Sequence, residues 1–195
     1  MWNLKKHVIV ITLLFLVGCQ PKSEILFENI NIGDNLETCL AKGAIKYIFD
    51  HHYDNGKRLA LSDNITTNYL PYTEVKFDDN NIIEELEFSR HADYEAVEET
   101  FNFMTQYFCQ RYKNMVTEKI DEVKEKGNYR QIGNKNIWET NKIKIILSSY
   151  NNMVDWQVVA RNIEKSGSDR WDAWVENEKA KNIQGYWAKL SITAK

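Results

Sequence analysis

The chain has 195 residues and a formal net charge of −3 at pH 7, from 25 Lys and Arg against 28 Asp and Glu. There is no extended basic run, and this slightly acidic balance argues against a nucleic-acid partner. Two prolines, eight glycines and six tryptophans argue for a folded domain and against a disordered stalk.

The N-terminus has the organisation of a secretory signal. Lys5 and Lys6 lie in a short polar start, and an apolar run from Val8 to Val17 follows, interrupted only by Thr12. This run of ten residues suits the hydrophobic region of a signal peptide, and it is well short of the roughly 20 residues that a spanning helix needs. We therefore expect the segment to be a targeting element and no part of the fold.

The hydrophobic run ends in Leu16-Val17-Gly18-Cys19. These four residues resemble the lipobox of bacterial lipoproteins, in which the signal is cut before the cysteine and the cysteine receives a diacylglyceryl group and usually a further acyl chain. The resemblance implies that residues 1–18 are removed and that Cys19 carries the lipids. Burial of acyl chains contributes about 0.8 kcal/mol per methylene group, so several chains on one residue imply durable membrane attachment.

Gln20 follows the cysteine, at the position where Asp marks inner-membrane retention in enteric lipoproteins. The resemblance therefore implies a lipid anchor in the outer membrane with the protein facing the periplasm, and the inner membrane is the alternative. Residues 19–30 are expected to form the lipidated cysteine and a short linker. Residues 31–195 are expected to form a single periplasmic domain.

Two cysteines, Cys39 and Cys109, remain after Cys19 is lipidated. The expected compartment is oxidising, so this even pair predicts a disulfide bond. Two buried free thiols are the alternative, because the geometry of a bridge cannot be read from the sequence.

A capping pattern begins the first predicted helix. Asp34 and Glu37 stand three residues apart, as in a capping box, and apolar residues follow at helical spacing. We expect a helix from about Asn35 to Tyr53, with Asn55-Gly56 as its stop.

Two β-rich segments, Tyr72–Phe77 and Ile82–Ser89, flank the turn-forming residues 78–81 and predict a hairpin. Apolar and charged residues alternate along both segments, which predicts one buried face and one charged face. The predicted buried positions are Val75, Phe77, Leu86 and Phe88, and the charged positions include Glu74, Lys76, Glu85 and Glu87.

The most regular helical pattern follows Asp93, which can act as its N-cap. Apolar residues recur there every three or four positions, at Val97, Phe101, Met104, Phe108, Tyr112 and Met115. The pattern can be extended through Ile120 and Val123 to Gly127. So long a helix would overhang a small domain, however, and a break near Asn114 is the alternative.

The last third of the chain is predicted to begin with a second hairpin. Its strands are Trp138–Tyr150 and Val154–Arg161, with Asn151-Asn152 at the turn.

A short helix and a final strand are predicted to follow. Trp171 and Trp174 mark one face of the helix, Ser168 or Asp169 can cap it, and the strand runs over Tyr186–Thr193. The order helix, hairpin, helix, hairpin, helix, strand predicts an α+β fold in which helices pack on a mainly antiparallel sheet.

The start of the mature chain has a second resemblance. Ile30-Asn31-Ile32-Gly33, followed by a capped helix and later a hairpin, is similar to the opening of the small SmpA/OmlA-type outer-membrane lipoproteins. The resemblance implies an assembly or binding accessory. The aromatic helix and the tryptophan-rich last third depart from that pattern.

No catalytic motif stands out in the sequence. The glycines are isolated from one another, and there is no G-x-S-x-G elbow, H-E-x-x-H helix or C-x-x-C pair. His51, His52 and Asp54 come closest to a metal cluster, but neighbours on a helix point to different sides, so a polar helix end is the favoured interpretation. We expect no metal, no cofactor and no enzymatic activity.

Two groups of residues are candidates for contact with a partner: the strand residues Glu74, Glu85 and Glu87, and the pair Trp171 and Trp174. Tryptophan is enriched at the centres of interfaces, although it is also an ordinary core residue. The sequence predicts a lipoprotein that binds a protein, either as an immunity protein against a periplasmic toxin or as an envelope-assembly accessory. The alternative is an envelope hydrolase that acts on cell-wall or lipid substrates with catalytic groups from distant positions.

Overall fold

The structure, a computed structural model, describes residues 30–45, 47–50, 58–61, 69–124, 127–167 and 170–195. The predicted signal peptide, Cys19 and the linker up to residue 29 lie outside the described residues. The same is true of His51, His52, Asp54, the predicted helix stop at Asn55-Gly56 and the predicted cap residues Ser168 and Asp169.

The described residues form four helices and eight strands. In chain order these are α1 (Leu36–Ala41), β1 (Tyr47–Asp50), β2 (Arg58–Leu61), β3 (Tyr72–Phe77), β4 (Ile83–Ala92), α2 (Tyr94–Arg111), β5 (Val116–Lys124), β6 (Tyr129–Glu139), β7 (Ile143–Val154), α3 (Trp156–Ser166), α4 (Arg170–Ile183) and β8 (Gly185–Ala194). The strands make one sheet in the order β1-β2-β3-β4-β8-β7-β6-β5, and every neighbouring pair is antiparallel. The predicted α+β fold is confirmed.

The last strand of the chain lies in the interior of the sheet. β8 pairs with β4 on one side and with β7 on the other, so Leu190 stands opposite Phe88 and opposite Leu147. The C-terminal strand therefore joins the first hairpin to the β5–β7 meander.

The main core lies between α2 and one face of the sheet, called here the helix face. The strand side chains of this core that are almost fully buried include Val75, Phe77, Leu86, Phe88, Trp138, Leu147 and Leu190. From α2, Met104 and Phe108 pack against them, and the Phe108 ring centroid lies 5.3 Å from that of Trp138. Each large apolar side chain buried here stabilises the fold by roughly 1.5–3 kcal/mol relative to exposure.

The predicted first hairpin is confirmed as β3 and β4, although β4 continues to Ala92. Asp78 closes its turn, because its carboxylate accepts hydrogen bonds from the N–H groups of Asn80 at 2.9 Å and Ile82 at 2.8 Å. The predicted buried positions are all buried, namely Val75, Phe77, Leu86 and Phe88.

The predicted extent of the first helix is wrong. α1 ends at Ala41, and β1 occupies part of the segment that was assigned to the helix. Gly43 ends the helix with a φ of 65°, a left-handed conformation that glycine adopts without steric cost. The N–H of Ala44 then donates to the carbonyl of Cys39 at 2.9 Å, which closes the last turn.

The cap of this helix also differs from the predicted capping box. The side chain of Asn35 is the N-cap acceptor and receives the N–H of Glu37 at 2.8 Å. Asp34 instead accepts the N–H of Asn31 at 3.0 Å, so it stabilises the preceding turn.

α2 confirms the most regular helical pattern from Val97 to Phe108, but Tyr112 and Met115 lie beyond the helix, and the extension to Gly127 is wrong. Asp93 caps the helix by accepting the N–H of Ala96 at 2.8 Å. The helix ends at Arg111, and Asn114 has a left-handed φ of 64° before β5 begins. The alternative break near Asn114 is therefore confirmed, and Ile120 and Val123 belong to strand β5.

The predicted second hairpin is wrong because its turn lies earlier in the chain. β7 runs straight through Asn151-Asn152, and residues 140–142 connect it to β6. Thr140 closes this connection, since its hydroxyl oxygen accepts the N–H of Ile143 at 3.0 Å.

The segment predicted as the second strand of that hairpin is helix α3. Asp155 caps it by accepting the N–H groups of Gln157 at 3.0 Å and Val158 at 3.1 Å. This local cap outweighs the β-rich composition of the segment.

The predicted disulfide bond between Cys39 and Cys109 is wrong, and both thiols are free. Cys39 is buried on α1, whereas Cys109 is exposed on α2, next to the core residue Phe108 in sequence. The Cys109 sulfur lies 3.6 Å from that of Met115 instead. Burial, with a smaller contribution from Asp34, raises the pKa of the Cys39 thiol and keeps it protonated.

Candidate functional site

Trp171 and Trp174 lie side by side on α4. Their ring centroids are 5.2 Å apart and their planes differ by 29°, which is a stacked arrangement. The exposed fraction is 66% for Trp171 and 54% for Trp174. Both side chains are therefore exposed, and neither is an ordinary core residue.

Hydrogen bonds hold the C-terminal end of α4 against the sheet. The carbonyl of Ile183 accepts the side-chain amide of Asn152 at 2.8 Å and the indole N–H of Trp187 at 3.0 Å. The Nε2 atom of His91 lies 3.0 Å from the carbonyl oxygen of Gln184, and the His91 ring stacks on Trp187. The tryptophan pair therefore lies on a helix whose far end is fixed.

A cavity of about 340 Å³ lies between α3 and α4. Its lining residues are Asn128, Val159, Asn162, Ile163, Ser166, Asp172 and Glu176. The side-chain amide of Asn162 donates to Oδ1 of Asn128 at 2.6 Å, so the cavity is braced at the β6 end. Asp172 and Glu176 make its α4 side acidic.

The predicted acidic strand residues lie among lysines. Glu85 pairs with Lys76 at 2.9 Å, and Glu87 pairs with Lys189 of β8 at 2.7 Å. Partial burial alone would raise the pKa of Glu85, but the hydrogen bond and the charge of Lys76 outweigh it and lower that pKa below its ordinary value. Glu74 is exposed and stands opposite Glu87 in the register. This strand face therefore carries mixed charge.

The two groups of candidate residues belong to different parts of the fold. The structure brings Trp171 and Trp174 together on α4, whereas the three glutamates lie on the β3–β4 hairpin. Their predicted role in partner binding stays a prediction.

Sequence reasoning placed the exposed aromatic residue Trp156 in the wrong kind of element. Trp156 begins α3 and is 41% exposed, but its segment was assigned to a strand. A signal was present, because Trp156, Val159 and Ile163 follow the capping residue Asp155 at helical spacing.

Within the described ranges, no helix is long and apolar enough to cross a membrane. In the same part of the chain, no group of three or more His, Cys, Asp and Glu side chains could hold a metal ion. Comparison of the chain with protein-family models, with curated proteins and with solved structures found no match.

Proposed function

We propose that this protein is a lipid-anchored envelope protein that binds a protein partner through Trp171 and Trp174. The observation that carries the proposal is the exposed, stacked pair of indole rings on α4. Tryptophan is among the residues most enriched at the energetic centres of interfaces, because it covers a large area at a low cost in side-chain entropy. The resemblance of Leu16-Val17-Gly18-Cys19 to a lipobox supports the anchor.

The exposed area of Trp174 determines how much free energy its burial by a partner can contribute. A large aromatic side chain can bury up to about 250 Å². About half of Trp174 is exposed, so roughly 130 Å² is left for a partner to cover. At about 25 cal/mol per Å² this burial is worth about 3 kcal/mol. The entropy lost when side chains become ordered on binding reduces the net contribution of Trp174 to the binding free energy to about 2 kcal/mol. This corresponds to roughly thirtyfold in the dissociation constant.

The charges of α4 favour a protein over a lipid surface as the occupant. The helix carries three cations and three carboxylates, namely Arg170, Lys179, Lys181, Asp172, Glu176 and Glu178. Two of the cations form ion pairs within the helix, Lys179 with Glu176 and Lys181 with Glu178, each at 2.9 Å. Helices that lie on anionic membranes instead carry an excess of Lys and Arg on their polar side.

The strand glutamates are expected to contribute less to the affinity for the partner than the tryptophan pair does. Lys76 and Lys189 compensate Glu85 and Glu87, so the hairpin is not the strongly acidic surface that would cover a basic toxin cleft. Charges at the rim of an interface mainly change the association rate and its salt dependence. The proposed partner is therefore a protein with an apolar pocket that accepts the indole rings.

The anchor is tested with Cys19→Ala in cells that receive labelled palmitate. The variant should lose the label and should leave the membrane fraction, because Cys19 is the proposed attachment residue of the lipids. Label that still enters the variant, or a variant that stays in the membrane fraction, would contradict the anchor.

The binding surface is tested by affinity capture of the full-length tagged protein from solubilised envelopes. Trp174→Ala should lose a captured protein that the parent retains, and purified components should then show a dissociation constant raised roughly thirtyfold. Tyr72→Ala is the matched control, because Tyr72 is an aromatic residue of β3 that is 64% exposed. Equal capture by both variants would contradict the proposal. Binding of Cys19→Ala protein to anionic vesicles that depends on Trp174 would assign the surface to lipid instead.

A further inference from the structure

A cleft separates the N-terminal half of α2 from the middle of β6 and β7 and the start of β8 on the helix face. Its volume is about 310 Å³, at the lower end of the range for small-molecule sites. The cleft lies on a different part of the molecule from the α3–α4 cavity and shares no lining residue with it. None of the residues singled out as candidate sites in the sequence lines it.

Side chains with free hydrogen-bonding capacity line this cleft. Asn102, Asn134, Asn151 and Ser149 all contribute to it. Within the described ranges, none of these four side chains is hydrogen-bonded to another residue. A side-chain amide and a hydroxyl can each donate and accept hydrogen bonds. These four side chains therefore suit ligand groups that also donate and accept, such as hydroxyl groups.

Two other asparagines of the same strands behave differently. Asn136 of β6 donates to the hydroxyl of Thr105 at 2.9 Å and accepts the hydroxyl of Thr117 at 2.8 Å. Asn152 of β7 donates to the carbonyl of Ile183 at 2.8 Å. These two amides are buried and serve the fold, whereas those of the cleft are left available to a ligand.

Two tyrosines form an aromatic wall of the cleft. The rings of Tyr94 and Tyr186 meet edge to face, with centroids 5.3 Å apart and planes at 65°. Both rings are partly exposed, so a ligand can pack on them. The hydroxyl of Tyr94 is hydrogen-bonded to Glu98, which raises the pKa of Tyr94 and keeps that hydroxyl neutral.

The charge of the cleft restricts the ligand further. Among the described residues that line it, Glu98 is the only one that is charged at neutral pH. No Lys, Arg or His in that set could compensate a phosphate or carboxylate, and burial of an unpaired anion is costly. An anionic ligand is therefore disfavoured, and the mixed donors and acceptors of the asparagine amides fit an uncharged ligand with hydroxyl groups.

We infer that this cleft binds a neutral saccharide of one or two rings. A sugar ring has an apolar C–H face that can lie on a tyrosine ring, and its hydroxyl groups both donate and accept as the asparagine amides do. The inference does not depend on the tryptophan pair, and Trp174→Ala should leave saccharide binding unchanged.

The test uses the full-length protein in detergent and saturation-transfer NMR with millimolar N,N′-diacetylchitobiose or maltose. At least one disaccharide should show transfer from the protein. Asn134→Ala should then raise its dissociation constant about tenfold, the effect of one lost hydrogen bond, and Tyr186→Ala should do so at least as strongly. Asn177→Ala is the matched control, because Asn177 is an exposed asparagine on α4 and should have no effect.

Three outcomes would overturn the inference. The first is no transfer to either sugar from a protein whose circular dichroism shows it to be folded. The second is binding that Asn134→Ala and Tyr186→Ala leave unchanged, which would place the sugar elsewhere. The third is binding of the amine spermidine, with no sugar bound, which would assign the cleft to a cation held by Glu98.

Discussion

Gly133→Ala should destabilise the protein. Gly133 lies in the interior of β6, opposite Tyr150 of β7 and Ile120 of β5. A Cβ added there would clash with the carbonyl oxygen of Ser149 and would lie 2.6 Å from the Cα atom of Tyr150. Both contacts are with backbone atoms of a neighbouring strand, so relief requires the strands to separate locally.

The size of the effect follows from that separation. Overpacking of a well-packed region costs about 1–3 kcal/mol. Each ladder hydrogen bond that is weakened adds about 1 kcal/mol. We therefore expect a loss of about 3 kcal/mol, and for a protein of this size each kcal/mol lowers Tm by roughly 2–4 °C. The expected decrease in Tm is roughly 6–12 °C.

Thermal unfolding followed by far-UV circular dichroism measures this decrease. Asn134→Ala, at the next position of the same strand, is the control and should change the stability by less than about 0.5 kcal/mol, because its side chain is exposed. Where a new Cβ fits, Gly→Ala stabilises by about 0.4–1 kcal/mol through the unfolded state. A Gly133→Ala protein that melts at or above the parent temperature would therefore refute the close approach of β6 and β7.

Three further predictions concern ionisation, capping and the thiols. Burial raises the pKa of Tyr150 to about 12, whereas a tyrosine in the unfolded chain ionises near pH 10. The folded state therefore keeps the phenol proton to a higher pH than the unfolded state does. The free energy of unfolding should fall as the pH rises from about 10 to 12. Urea titrations between about pH 10 and 12 should show a smaller decrease in the free energy of unfolding for Tyr150→Phe than for the parent. An equal decrease in both proteins would contradict the burial of Tyr150. Asp93→Ala removes the acceptor for the N–H of Ala96 and should lower the free energy of unfolding by about 1 kcal/mol in chemical denaturation. Asp93→Ser should retain most of that stability, because serine is also a good N-cap residue. In Cys19→Ala protein kept without reductant, a thiol reagent should label Cys109 in the folded state and Cys39 only after unfolding. If neither cysteine is labelled in denaturant, the two are joined by a disulfide bond and the free thiols are refuted.

Local patterns predicted the elements whose signals are complete within a few residues. The Asp93 cap and the apolar spacing after it specify α2, because both act within neighbouring turns of one helix. Residues 78–81 and the alternation on each side specify the β3–β4 hairpin, because an antiparallel pair with a short turn is also a local structure.

The elements that were missed have ambiguous local patterns, and for β7 the decision came from partners far away in the chain. The helical pattern from Asn35 to Tyr53 contains aromatic and β-branched residues that suit a strand equally well, and Gly43 decides where the helix ends. Asn151-Asn152 has the composition of a turn, yet β8 and β6 pair with it on both sides and hold it in β7. Pairing of this kind outweighs local preference, since strand propensity mostly reflects the neighbouring strands.

The sequence by itself determined the amphipathic faces and the lipobox resemblance, because both are carried by residues adjacent or nearly adjacent in the chain. Only the tertiary structure decided the surroundings of the candidate sites. Insertion of β8 between β4 and β7 places Lys189 beside Glu87, and it brings Tyr186 to the cleft beside Tyr94. Such contacts follow from the order of strands in the sheet, and no periodicity within a single segment encodes that order.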